Sequence, residues 1–201
     1  MGRKKKNKKY KVVAIIPKHI VEIPEIKPAP RPIKPIPKIA VGVDMPFNCD
    51  VSRRLQYNLS MLEPTFCKLL ICQEDNEGND NWRIAKAHED IRKLFINQIV
   101  EATHLLFLAY DIDVPPETIT VMLSRNADVV YNSYDNIEDG MGCILIKREI
   151  LEQYSFVGGM TKDGMITDSE LFLRWAKFKK LKVAKLKNIL QIIHYDYAES
   201  P

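Results

Sequence analysis

Asp111 and Asp113 stand one residue apart in the stretch Thr103-His104-Leu105-Leu106-Phe107-Leu108-Ala109-Tyr110-Asp111-Ile112-Asp113-Val114-Pro115-Pro116. Two carboxylates at i and i+2 around a turn can converge on one hard divalent cation, which prefers oxygen ligands. Leu105 to Leu108 is a continuous apolar run, short enough for a strand buried on both faces. Pro116 suits a first helical position, where its missing N–H has no partner to lose, and Glu117 suits the positive end of a helix dipole. The two carboxylates therefore fall at the carboxyl end of a central strand, where open α/β sheets bind ligands. This is a metal–diphosphate site in outline, although Asp-x-Asp beside a proline pair is also ordinary turn and cap chemistry.

The elements that must hold these residues alternate along the chain. Ile39 to Asp44 reads as a short buried strand ending at Met45-Pro46, and Asp50 could cap a helix over Val51–Leu62 with Leu55, Leu59 and Leu62 on one face. Lys68 to Cys72 is a second strand, followed by the polar loop Gln73 to Asn81. A longer helix follows over Arg83–Ala102, with Ile84, Ile91, Phe95 and Ile99 as its apolar stripe. After the 104–109 strand come a helix over Pro116–Arg125 and a strand near Asp128 to Tyr131. This alternation predicts a doubly wound, mostly parallel α/β sheet with helices on both faces.

The second half changes character. Gly140-Met141-Gly142 leads into a strand at Cys143 to Ile146 and a short helix over Arg148–Tyr154. A glycine-bearing loop from Phe156 to Thr167 precedes an amphipathic helix opened by Asp168-Ser169-Glu170, with Leu171, Trp175 and Phe178 expected inward. Val183 to Leu186 and Ile189 to His194 complete the chain as two short strands.

Composition narrows the classes of function. With 201 residues, 46% of them hydrophobic, one domain with a sizeable core is expected. Residues 1–38 hold twelve Lys and Arg against two Asp and Glu, a net of +10, so the formal +4 of the whole leaves residues 39–201 at −6. The basic character belongs to the arm, and domain-wide nucleic-acid binding is not expected. Seven of the twelve prolines lie in that arm, favouring an extended, semi-rigid spacer. It could also contact an anionic surface or another protein subunit, and Tyr10 to Pro17 could pair as a strand. The domains expected are thus a basic, Pro-rich arm at 1–38 and an α/β domain at 39–201. The four cysteines form no CxxC pair and no zinc spacing with the four histidines, which suits a reducing interior. No stretch approaches the ~20 apolar residues of a membrane span, and the basic start lacks the apolar run of a signal peptide. The expectation is a cytoplasmic protein, or one peripheral to a membrane or an assembly.

The ordered set THLLFLAYDIDVPP, GMGCILIKREIL, DSELFLRW and a later histidine resembles a small GT-A-fold glycosyltransferase, similar to glycosyltransferase family 2, over residues 38–196. The resemblance implies transfer of a sugar from a nucleotide-sugar to an acceptor hydroxyl, with Mn²⁺ or Mg²⁺ neutralising the diphosphate. It implies that Asp111, with Asp113 and His194, holds the metal, and that Asp168 is the general base. It also implies that Asp75 reads the nucleobase and that Arg92 lies near the nucleotide. The family usually writes the strand end as Phe-Leu-Asp-x-Asp; here Ala109 takes the first aspartate's place and the pair is shifted by two residues. Three alternatives stay open: a transferase, another nucleotide-using transferase such as a nucleotidyltransferase, and a degenerate transferase fold serving as a scaffold through its arm. Met45-Pro46-Phe47-Asn48 has neither the glycine nor the basic residue that a nucleotidyltransferase loop needs after the first strand.

Overall fold

The computed structural model describes residues 36–47, 49–133, 141–187 and 189–195. The expected extended arm, up to residue 35, lies outside the described residues, as does Gly140. Six strands make the main sheet: β1 (Ile39–Met45), β2 (Lys68–Gln73), β3 (His104–Ala109), β5 (Val129–Asn132), β6 (Cys143–Lys147) and β7 (Val183–Leu186). Their order is β2-β1-β3-β6-β5-β7. β2, β1 and β3 are parallel, β5 and β7 are parallel, and β6 runs antiparallel to both its neighbours. The sheet is therefore mixed, with β6 the strand that periodicity could not orient. A second, two-stranded sheet pairs β4 (Ile112–Asp113) with β8 (Ile193–His194), antiparallel.

Helices cover both faces. On one, α1 (Arg53–Met61) and α3 (Thr118–Ser124) pack Leu55, Leu59, Ile119 and Met122 against Val41, Val43, Leu106 and Leu108. On the other, α2 (Asp80–Gln98), α4 (Arg148–Leu151) and α5 (Asp168–Phe178) pack Ile91, Phe95, Ile150 and Phe172 against Leu105, Phe107, Ile144 and Ile146. Alternate residues of one strand thus serve opposite cores, as the two-residue period of a strand requires.

Several local expectations shift, each for a capping or packing reason. α1 is capped by the Ser52 hydroxyl, which accepts from the Leu55 N–H at 3.1 Å, so Asp50 is not the cap. α2 begins a turn before Arg83 because Asn79 caps it, its side-chain oxygen accepting from the Trp82 N–H at 3.0 Å. It stops at Gln98, where the Arg148 guanidinium donates to the carbonyls of Phe95, Ile96, Ile99 and Ala102 and lies 4.2 Å over the Phe95 ring. Pro116 sits in the turn ahead of α3 and not in its first position, the Thr118 N–H donating to the Pro115 carbonyl at 3.1 Å. On α5 the buried face is Asp168, Ser169, Phe172 and Ala176, one residue round from the expected stripe, which leaves Phe178 80% exposed.

The fit of α2 on β1 leaves no spare space. A Cβ on Gly42 would come within 2.4 Å of the Ile91 Cγ2, and Ile91 has nowhere to move because it is fully buried. Gly42→Ala should therefore cost about 1–3 kcal/mol, the usual price of overpacking, read as a lowered unfolding midpoint in urea. Combined with Ile91→Ala the two losses should sum to less than their separate values, since the second change removes the clashing methyl.

Candidate active site

The chain leaves β1 for the edge strand β2 and returns across β1 to β3, so its direction reverses between β1 and β3. In open α/β sheets ligands bind outside the carboxyl ends of the strands at such a point. Three acids mark it here: Asp44 at the end of β1, Glu74 just after β2 and Asp111 just after β3. Asp44 is the register partner of both Cys72 and Ala109, so a carboxylate from β1 stands beside the alanine of β3.

Asp168 is the first residue of α5, after the Thr167 cap, and is almost wholly buried. Its Oδ2 lies 2.6 Å from His88 Nδ1, and its Oδ1 accepts from the Ser169 N–H at 2.7 Å. The other ring nitrogen, His88 Nε2, is 3.4 Å from Asp44 Oδ1. Phe107 and Phe156 close the space around the ring, with centroids 5.0 and 5.7 Å away. Burial would push the His88 imidazole down, but the carboxylates of Asp168 and Asp44 outweigh it and carry it up to about 10. The two flanking carboxylates thus favour the protonated ring. Beside it, burial lifts the Glu74 carboxyl to about 7, aided by Asp44 and opposed by Arg83, whose Nε is 3.6 Å away.

Asp111 and Asp113 differ in their partners. Asp111 Oδ2 is 3.2 Å from His194 Nε2, and the Asp111 carbonyl accepts the Tyr195 N–H at 2.9 Å. Burial raises the Asp111 carboxyl above its ordinary value, with His194 acting in the opposite sense. Asp113 is held by protein donors: the Tyr195 hydroxyl at 3.0 Å, Asn58 Nδ2 at 3.3 Å and, as an ion pair, Arg54 Nε at 3.8 Å. Arg54 also lies 3.7 Å over the Tyr195 ring. Asn58, buried on α1, fixes the turn from below by donating to the Ile112 carbonyl at 3.0 Å and accepting from the Val114 N–H at 3.3 Å. The β4–β8 pairing therefore brings Asp111 and His194 together, while Asp113 is held by other partners, and among the described residues no group of three His, Cys, Asp or Glu side chains is arranged to hold a metal ion.

The two residues expected at the nucleotide lie apart from these. Asp75 is exposed in the loop after β2, its carboxylate accepting from the Glu77 N–H at 3.2 Å. Arg92 donates to both oxygens of Glu89, at 2.7 and 2.9 Å, and to the Leu151 carbonyl at 2.9 Å. Glu89 in turn accepts the Phe156 N–H at 3.0 Å, so the pair fastens the start of the loop ahead of Asp168 to α2. The far end of that loop is also fastened, by Asn79 Nδ2 to the Gly164 carbonyl at 2.9 Å and Asn81 Nδ2 to the Met165 carbonyl at 3.2 Å. Asp44, His88, Asn58 and Tyr195 are the residues that the sequence reading passed over. His88 left a signal, being the polar residue that fills the gap between Ile84 and Ile91 on the apolar stripe of α2.

No family model and no curated protein matches the chain. Solved structures do. A197 from STIV aligns with a TM-score of 0.56 at 17% identity, over 79% of this chain and 86% of that one. A glycosyltransferase involved in glycosylation of the major capsid of PBCV-1 aligns with a TM-score of 0.56 at 13% identity, over 75% and 82%. Glucosyl-3-phosphoglycerate synthase from Mycobacterium tuberculosis, solved with Mn²⁺, uridine diphosphate and glucosyl-3-phosphoglycerate, aligns with a TM-score of 0.52 at 9% identity, over 81% and 74%. The chain has the GT-A-like α/β fold of the nucleotide-diphospho-sugar transferases.

Proposed function

We propose that the chain is a metal-assisted glycosyltransferase, moving a sugar from a nucleotide-sugar donor to an acceptor hydroxyl. The observation that supports this most is the convergence of the Asp111–His194 pair and the buried Asp168 on the carboxyl edge of β1 and β3, in a fold whose structural neighbours include glycosyltransferases.

The residues fit a divalent cation that shares its coordination with a diphosphate. Asp111 supplies an oxygen and His194 an imidazole nitrogen, and Mg²⁺-type sites commonly take only one or two protein ligands beside phosphate. Asp113 is engaged by Tyr195, Asn58 and Arg54, so it serves by shaping the turn. When bound, the cation would neutralise the diphosphate as it leaves. Asp75, exposed beyond β2, is the acid placed to meet a nucleobase. Arg92 acts behind the site by holding Glu89 and, through it, Phe156.

Asp168 is the group that takes the proton of the acceptor hydroxyl as oxygen–carbon bond formation proceeds. Its Oδ1 accepts from both the N–H and the hydroxyl of Ser169, whereas Oδ2 has His88 as its one protein partner and keeps a second lone pair. Glu170 differs in kind: it is exposed and paired with Arg174, one turn on along the surface of α5.

A thermal-shift panel of nucleoside diphosphates and nucleotide-sugars, with and without Mn²⁺, tests the proposal. A ligand at 100 times its dissociation constant should stabilise by about 2.7 kcal/mol. No shift with any nucleotide would leave the scaffold reading in its place. In calorimetry, Asp111→Asn should weaken Mn²⁺-dependent nucleotide binding by about 10–100-fold, whereas Asp113→Asn should weaken it less. The reverse order would move the metal to Asp113. Asp168→Asn should keep donor affinity while transfer falls by about 10²–10⁴, and Glu170→Gln should leave both near wild type.

A further inference from the structure

The proposed chemistry assigns no part to His88, yet its ring is almost wholly buried between two carboxylates. Its ring is held by three elements at once: α2 carries it, Asp44 of β1 meets Nε2 and Asp168 of α5 meets Nδ1. The remaining faces are apolar, formed by Phe107 of β3 and Phe156 of the loop ahead of α5. Glu74, after β2, is the further acid that feels the ring, and Arg83 stands beyond it. Two carboxylates on opposite edges of one buried ring would each be an uncompensated charge without a cation between them.

Stability alone does not account for such a cluster. Replacing buried ion pairs by apolar residues of similar volume is often neutral or stabilising, whereas perturbed ionisable groups gather at functional sites. The geometry has a directional consequence instead. An imidazole is rigid, so a proton on Nδ1 fixes which lone pair of Asp168 Oδ2 is used inward and which remains for an incoming hydroxyl. Oδ1 is occupied by the N–H and the hydroxyl of Ser169, at 2.7 and 3.4 Å, which leaves Oδ2 as the oxygen that faces an acceptor.

We propose that His88 is a positioning residue for the transfer reaction, an imidazolium strut that ties Asp168 to the end of β1 through Asp44 and fixes the aim and charge of the carboxylate. This rests on the transferase reading, in which Asp168 receives the acceptor proton. His88 itself touches neither donor nor acceptor, and its proton stays on the ring throughout. The arrangement also joins the two halves of the site, since the same Asp44 stands beside Ala109 and acts electrostatically on Asp111.

The test is nitrogen NMR of the full chain labelled at its four histidines, with His88 assigned by its loss in His88→Gln. Both ring nitrogens of His88 should carry protons at pH 7 and keep them until the pH nears 10. His104, held down to about 4 by burial and Lys147, should be neutral throughout and serves as the internal contrast. Asp168→Asn and Asp44→Asn should each lower the pH at which His88 gives up its proton. A neutral His88 ring at pH 7, or one indifferent to Asp168→Asn, overturns the proposal whatever the enzyme does.

The kinetic arm separates positioning from folding. His88→Gln should lower turnover by about 10–100-fold with the donor KM unchanged, and imidazole added to His88→Ala should restore part of the rate. A folded His88→Gln protein with wild-type turnover overturns the strut. Absence of any Mn²⁺-dependent nucleotide binding by the wild-type chain would instead remove the transferase reading beneath it, so the two failures are told apart.

Discussion

A positive charge enclosed by two aromatic rings can persist only if acids reach it, and in this fold the acids come from different elements. His88 brings α2, the end of β1 and the start of α5 to one point. Each contact is an electrostatic constraint on where those elements end. If β1 ended short of Asp44, or α5 began after Asp168, the ring would keep its burial and lose a counter-charge. The layers around it behave accordingly: Ile91, one turn on from His88, seats against the bare Cα of Gly42, and Glu89 beside it catches the Phe156 N–H. One helical turn of α2 thus sets the spacing between sheet, loop and α5.

The other half of the candidate site is organised by neutralisation at the surface. Asp113, half-exposed, collects a phenol, an amide and a guanidinium, while Asp111 faces His194. The pair looks symmetrical in sequence and is asymmetrical in space because β4 pairs with β8 in antiparallel register, placing Ile112 opposite His194 and Asp113 opposite Ile193. Asn58 adds to this by gripping the backbone on both sides of Asp113. One aspartate shapes the turn and its neighbour meets the imidazole.

Much of the architecture could be read from the chain because apolar periodicity is a local property. The strands at 39–45 and 104–109 are buried runs bounded by polar loops, the edge strand at 68–73 is an apolar run of which Leu70 is buried, and their alternation with helices fixed the layers. The direction of β6 could not be read, since Cys143 to Ile146 are buried on both faces and such a run can pair in either sense. The rotation of α5 also escaped, because Phe172, Trp175 and Phe178 offer two plausible stripes and only Tyr154 and Phe156 decide between them. The site was legible where its residues are close in sequence, at Asp111 and Asp113. It was hidden where partners are far apart, as His88 and Asp168 are by eighty positions. Asp44 reads locally as the polar end of a strand, and nothing near it in the chain announces an imidazole.

The meeting of β8 with β4 has a consequence for the order in which this molecule matures. The last strand of the main sheet ends at Leu186, so a chain extended that far already holds every strand of the six. His194 and Tyr195 emerge later, and only then does the Asp111–Asp113 turn gain its imidazole, its phenol and the stacked arginine. During synthesis the six-stranded sheet can therefore settle first, with the Asp111–Asp113 turn still lacking these contacts. The turn is thus fastened by contacts that become available only after the last strand of the sheet it rests on has been made.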